Sequence, residues 1–248
     1  MFDVKGANLG VTGSSAALVC RTEGYNQGMN PNMFRIKICG ITRPDDARLA
    51  AEAGADAIGL NFYTGSPRHV TEVAAKAIIQ ILPAGVAKVG VFVNTPPGEV
   101  AAIADRLNLD WIQLHGDERP EDIRELAPRR VIRAMPCRVA GLSAVINYLE
   151  RCRTLGTLPA ALLADAAVSG AYGGTGRTAA WSELVPPREW LLGIPLILAG
   201  GLTPENVASA IEAVRPHGVD TASGVECSPG VKDGPRMREF VTAAKNAR

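Results

Sequence analysis

Cys39 and Asp165 are the two side chains whose type and placement suit proton transfer across a shared site. Cys39 ends the apolar run Phe34-Arg35-Ile36-Lys37-Ile38-Cys39 and is followed by Gly40. Thr42-Arg43-Pro44-Asp45-Asp46 then reads as a helix start, with a proline and two acids in its first turn. A thiolate at such a strand end could act as a base, and the ammonium of Lys37 two residues earlier would favour the ionised form. Asp165 ends the run Ala161-Leu162-Leu163-Ala164-Asp165 and could act as an acid if partial burial raises its pKa. The local residues leave a second reading of Cys39 open, that of an inert buried thiol.

Other polar residues recur at the C-terminal ends of apolar runs: Asn61, Asn94, Gln113 with His115, Gly200-Gly201, and Asp220 with Ser223-Gly224. Glycines at Gly200, Gly201 and Gly224 would let backbone N–H groups approach a phosphate, although ordinary turn glycines give the same pattern. Arg68, in Gly65-Ser66-Pro67-Arg68-His69, could clamp a carboxylate in bidentate fashion or sit solvated on the surface. His69, His115 and His217 show no metal-ligand spacing, so His115 reads as a polar residue of the mouth. Gly173-Gly174-Thr175-Gly176-Arg177-Thr178 resembles a phosphate loop, but it has Arg177 where the lysine belongs, and reads as a mobile loop over the mouth. No Ser-His-Asp arrangement stands out, so an acid and a base facing one another suit an isomerase better than a hydrolase.

What positions these residues is an alternation of short apolar runs and helical patterns. Strands are expected at 34–39, 57–62, 88–93, 111–115, 131–135, 161–165, 196–201 and 218–222. Helices are expected between most of them, including 71–82, where Val73, Ala77, Ile78 and Ile81 share a face, a weak one near 181–185, and a last one at 235–247. Short apolar strands alternating with helices imply parallel pairing through right-handed crossovers. Eight such units at this length favour a single closed (β/α)8 barrel over an open doubly wound sheet. In such a barrel the C-terminal ends of the strands carry the active site, which is where the polar residues fall.

The totals set the outer bounds. The chain has 248 residues, 47% hydrophobic and 21% charged, which is ordinary globular composition. Its 26 basic and 25 acidic residues give a net charge of +1, which argues for neither nucleic acid nor an anionic membrane as partner. No apolar run approaches the roughly 18 residues of a membrane span. The five cysteines, Cys20, Cys39, Cys137, Cys152 and Cys227, are scattered, which fits a reducing cytoplasm better than a disulfide framework or zinc site. Residues 1–32 show no clear period and read as a loosely ordered extension, with Met29 and Met33 as alternative starts just before the first run. The barrel is expected over 34–248.

From Arg35 onward the chain resembles the phosphoribosylanthranilate isomerase family of tryptophan biosynthesis. The segments that carry the resemblance are K-I-C-G-I-T from Lys37, G-A-D-A-I-G-L-N-F-Y from Gly54, S-P-R at Ser66 and V-G-V-F-V-N from Val89. They continue with Q-L-H-G-D-E from Gln113, Y-G-G-T-G-R-T from Tyr172, L-A-G-G-L-T-P-E-N-V from Leu198 and S-G-V-E from Ser223. The resemblance implies an Amadori rearrangement of N-(5-phosphoribosyl)anthranilate, without metal or organic cofactor, by a cytoplasmic monomer or homodimer. It implies Asp165 as general acid, Cys39 as general base, Arg68 on the anthranilate carboxylate, and Gln113 and Asp220 lining the mouth. Backbone groups of Gly200, Gly201, Ala222, Ser223 and Gly224 would hold the phosphate. The chain departs from the family pattern at Ala179-Ala180-Trp181, which lacks a carboxylate and would leave Ser182 to cap the next helix. The lysine and glutamate of indole-glycerol-phosphate synthase and the metal ligands of ribulose-phosphate epimerase are not visible. A binding protein that had lost catalysis would be expected to lack Cys39 or Asp165.

Overall fold

The computed structural model describes residues 33–136, 142–166 and 191–247. The extension 1–32, the glycine-rich loop 173–178 and the weak helix near 181–185 lie outside the described residues. Among those described, eight parallel strands close into a barrel in chain order. They are β1 (Ile36–Cys39), β2 (Ala57–Asn61), β3 (Ala87–Phe92), β4 (Trp111–Leu114), β5 (Val131–Pro136), β6 (Ala161–Asp165), β7 (Leu196–Ala199) and β8 (Gly218–Thr221). β1 pairs with β8 as well as with β2, so this sheet has no edge.

Each strand is buried on both faces, which is why it reads as a nearly continuous apolar run. The two faces nevertheless differ. Ala57, Val89, Trp111, Ile132, Leu163 and Ile197 fill the barrel interior with Phe34, whereas Ile38, Ile58, Leu60, Phe92, Ile112 and Leu198 pack outward against the helices. Phe34 meets Trp111 edge-on at 5.8 Å between ring centroids and plugs the N-terminal end. The period of two along β1 therefore sends Lys37 and Cys39 inward while Ile36 and Ile38 face the helices. The same parity points Asn61, Gln113, Asp165 and Asp220 into the barrel.

The helices are α1 (Pro44–Ala53), α2 (Glu72–Gln80), α3 (Pro97–Arg106), α4 (Pro120–Glu125), α5 (Leu142–Thr154), α6 (Val207–Val214) and α7 (Gly234–Asn246). Prolines in the first turns of α1, α3, α4 and α7 start each where an orphan N–H would otherwise need a partner. In α2 the buried face differs from the one expected. Ala75 and Ile78 are buried, while Val73 is 82% exposed and Ile81 is also exposed. Small alanines let the helix approach the sheet, and a stripe through Ala75 and Ile78 fits the helical period as well as one through Val73 and Ile81.

One element had no counterpart in the sequence pattern. After β8 a 3-10 turn (Ser223–Val225) leads into a two-stranded ribbon, β9 (Glu226–Ser228) and β10 (Val231–Lys232), with Lys232 opposite Glu226. No described helix is long and apolar enough to cross a membrane.

Candidate active site

At the C-terminal end of the barrel lies a cavity of about 380 Å³. Cys39, Arg68, Gln113, His115, Asp165 and Asp220 all line it, together with Asn61, Gly200, Gly201, Ala222 and Ser223. A larger depression of about 760 Å³ opens at the other end, lined by Met33, Asp56, Leu82, Lys88, Asp110 and Arg130 among others. Its Lys88 and Asp110 are paired to one another at 3.3 Å, and it brings no acid and base to bear on a common point. The C-terminal mouth is the end that gathers such groups.

Two of the expected mouth residues are not among those lining the cavity. Asn94 is absent from the cavity wall and accepts a hydrogen bond from the Asp117 backbone N–H at 2.7 Å, tying two loops together. Gly224 sits behind the wall, where any Cβ would overlap the Leu202 carbonyl. That close approach seats the β8 loop against the β7 loop, helped by the Thr221 hydroxyl donating to the same carbonyl at 2.7 Å. Gly200 and Gly201 take φ values of +89° and +73°, a conformation that glycine adopts without steric cost.

The floor of the cavity is a connected set of buried polar groups. Lys37, with no exposed surface, donates from Nζ to Gln113 Oε1 at 2.9 Å and lies 2.9 Å from Asp220 Oδ1. The Asp220 contact is an ion pair rather than an aligned hydrogen bond, since Oδ1 has no hydrogen-bond partner of good geometry. Gln113 Nε2 is 3.0 Å from His115 Nδ1, and His115 Nε2 is 3.2 Å from Asp165 Oδ2. This chain fixes the imidazole tautomer. An ammonium can only donate, so Gln113 must accept on Oε1 and present its amide N–H to His115. Nδ1 therefore accepts, the ring proton sits on Nε2, and that N–H donates to Asp165. Gln113 and Asp220 reach the cavity wall, but their polar heads are engaged beneath it.

The electrostatics of Cys39 correct one expectation. Burial pushes its thiol above the ordinary value, and this outweighs the pull of the Lys37 ammonium in the other direction. Lys37 is itself pulled down by burial and pushed up more strongly by Asp220 and Cys39, so it remains a cation committed to its own partners. Cys39 itself is half-buried at the end of β1.

Removing one member of the buried pair should be costly. Lys37→Met leaves the Asp220 carboxylate buried without its cation, and about 3–5 kcal/mol of stability should be lost. A chemical denaturation curve measures this, and Lys37→Met with Asp220→Asn should recover part of the loss.

Arg68 stands on the β2–α2 loop, with Nε and Nη2 donating to Glu226 at 2.8 and 2.6 Å. Asn61 and Ser66 brace that loop: Asn61 Nδ2 donates to Ser66 Oγ at 3.2 Å, and Ser66 Oγ accepts from the Arg68 N–H at 3.1 Å. Glu226 and Lys232, which hold Arg68 from behind, were not singled out in the sequence. Among the described residues no group of three or more His, Cys, Asp or Glu side chains is arranged to hold a metal ion.

The architecture and mouth define the class, a (β/α)8-barrel enzyme with acid–base groups on the C-terminal ends of its strands. Residues 36–243 match the family model of N-(5'-phosphoribosyl)anthranilate isomerase. The isomerase of that name from Geobacter sulfurreducens is 48% identical over 213 residues, covering 86% of this chain and 99% of the relative. The crystal structure of the Thermotoga maritima enzyme superposes with a TM-score of 0.76 at 39% identity, covering 86% of this chain and 99% of that one. A structure of such an isomerase in complex with reduced 1-(o-carboxyphenylamino)-1-deoxyribulose 5-phosphate superposes with a TM-score of 0.73 at 39% identity, with the same coverage. The chain belongs to the N-(5'-phosphoribosyl)anthranilate isomerase family. Its reaction is the aldose–ketose isomerisation of N-(5-phosphoribosyl)anthranilate to 1-(2-carboxyphenylamino)-1-deoxyribulose 5-phosphate in tryptophan biosynthesis.

Proposed function

We propose that Asp165 and Cys39 divide the proton transfers of this rearrangement. Asp165 gives a proton to the furanose ring oxygen. The C1–O bond breaks as the anilino nitrogen lone pair forms the C1=N bond of a protonated Schiff base. Cys39, once ionised, takes the C2 proton. The C2–H electrons become the C1=C2 bond of the enolamine, and those of the C=N bond return to nitrogen. Proton loss from the C2 hydroxyl and proton gain at C1 then give the ketose.

The observation that carries this reading is that Cys39 on β1 and Asp165 on β6 line one cavity from strands three positions apart around the barrel. The His115 tautomer adds to it, because an Nε2–H donor stabilises the carboxylate that Asp165 becomes after giving up its proton. Arg68 receives the anthranilate carboxylate at the rim. The loops holding Gly200, Gly201, Ala222, Ser223 and Gly224 receive the phosphate through their backbone. Gln113 and Asp220 support the substrate from the floor, through Lys37 and His115.

Trapping with borohydride tests the order of events. Cys39→Ser should still open the ring, so reduced open-chain product should accumulate faster than without protein. Asp165→Asn should give no acceleration. The opposite pattern would exchange the two roles.

Residues 1–32 take no part in the chemistry on this reading. A chain beginning at Met33 should keep kcat and KM within about twofold, as expected of a change remote from the site. A collapse of activity or solubility would show that the segment matters. On this reading the protein acts in the cytoplasm as a monomer or homodimer without nucleic acid, the last supported by a net charge of +1.

A further inference from the structure

Arg68 does not reach the cavity as a free side chain. Its Nε and Nη2 edge is taken by both oxygens of Glu226, and Glu226 is only 4% exposed. Glu226 is held from its other side by Lys232, whose Nζ donates to Oε1 at 2.8 Å and to the Ala222 carbonyl at 2.9 Å. The antiparallel register of the ribbon sets Lys232 opposite Glu226. The ribbon is pinned to the barrel where the Thr42 hydroxyl donates to the Gly230 carbonyl at 2.6 Å and the Lys232 N–H to Asp46 Oδ2 at 3.2 Å. The stem of Arg68 crosses Gly40, where any Cβ would overlap its Cδ. Neither Glu226 nor Lys232 lines the cavity.

Two consequences follow from this arrangement. A guanidinium can bind a carboxylate through its Nε–Nη2 edge or through its Nη1–Nη2 end. Glu226 occupies the first, so the end is what remains for a ligand. Glu226 alone would also cancel the charge of Arg68. Lys232 restores one net positive charge to the trio, so the exposed end still attracts an anion. Burial pushes Glu226 up, but Arg68 and Lys232 together hold it below the ordinary carboxylate range, while burial pulls Lys232 below the ordinary ammonium value against the pull of Glu226.

We infer that Glu226 and Lys232 are positioning residues that set the substrate's carboxylate specificity, by presenting Arg68 to the aromatic carboxylate end-on with a net positive charge. This rests on the reading that Arg68 receives that carboxylate. It commits the ribbon β9–β10 to substrate discrimination rather than to the proton transfers.

The test compares two substrates, N-(5-phosphoribosyl)anthranilate and the aniline analogue lacking the carboxylate. In Glu226→Gln the preference for the carboxylated substrate should fall about tenfold, the scale of one charge-assisted hydrogen bond. The loss should appear in KM, with kcat kept. A purely electrostatic role for Glu226 predicts the reverse, because removing an anion makes the rim more positive and should lower KM. An unchanged or lowered KM for the carboxylated substrate would overturn the inference. Should Glu226→Gln fail to fold, Glu226→Asp keeps the charge beside Lys232 and draws it back by one methylene. A KM-only loss of discrimination in that variant supports the inference, and an unchanged ratio overturns it. Arg68→Ala separates the two levels of the argument. If it leaves the preference intact, Arg68 does not read the carboxylate. If it abolishes the preference while the Glu226 variants do not alter it, the positioning claim alone fails.

Discussion

Cys39→Ser leaves the barrel folded and lowers turnover by about 10²–10⁴-fold, the range expected for loss of a general base. The substitution is nearly isosteric and the residue lies at a cavity wall rather than in the packed core, so thermal unfolding should change little. What changes is the proton affinity of the base, since a serine hydroxyl holds its proton far more tightly than a thiol. The pH profile sharpens the result. An essential base is active when deprotonated, so one limb of the kcat/KM profile belongs to its free-enzyme pKa. Burial raises the Cys39 pKa, which places that limb on the alkaline side of the ordinary thiol range. That limb should disappear in Cys39→Ser. Near-normal turnover in the variant, or a limb that survives it, would remove the thiol from the mechanism.

Asp165→Asn should lower turnover on a similar scale, about 10²–10⁴-fold, and for the complementary reason. The amide keeps the shape of the side chain and can still accept from the His115 Nε2–H, so the Lys37–Gln113–His115 chain can persist. It has no acidic proton for the ring oxygen. An essential acid is active when protonated, so the limb of the profile that belongs to Asp165 should be missing from the variant. A wild-type pH profile in Asp165→Asn would discredit the acid assignment. Steady-state rates across pH, with circular dichroism to establish folding, measure both variants.

Much of the fold was legible because barrel strands are buried on both faces and so stand out as short apolar runs between helices. Seven of the eight ended in or led into polar or glycine residues, and parity along β1 alone sends Lys37 and Cys39 to the same side. What sequence could not supply was a balance of opposing forces. Lys37 two residues from Cys39 suggested a lowered thiol pKa, but burial of the thiol outweighs an ammonium already engaged with Asp220 and Gln113. The face of α2 was misassigned because the pattern rewards large side chains, whereas Ala75 is buried and Val73 is not. The ribbon went unseen for a similar reason. Its strands span only three and two residues, too short for any period, and Glu226 and Lys232 look like ordinary surface charges until pairing brings them together behind Arg68.

The central claim is that Asp165 opens the ring and Cys39 then takes the C2 proton. The primary isotope effect on turnover of substrate deuterated at C2 tests it most directly. Cys39→Ser makes C–H cleavage limiting, so that variant should show a full primary effect. Asp165→Asn makes ring opening limiting, so its effect should fall close to unity. A full effect in Asp165→Asn together with none in Cys39→Ser would contradict the account.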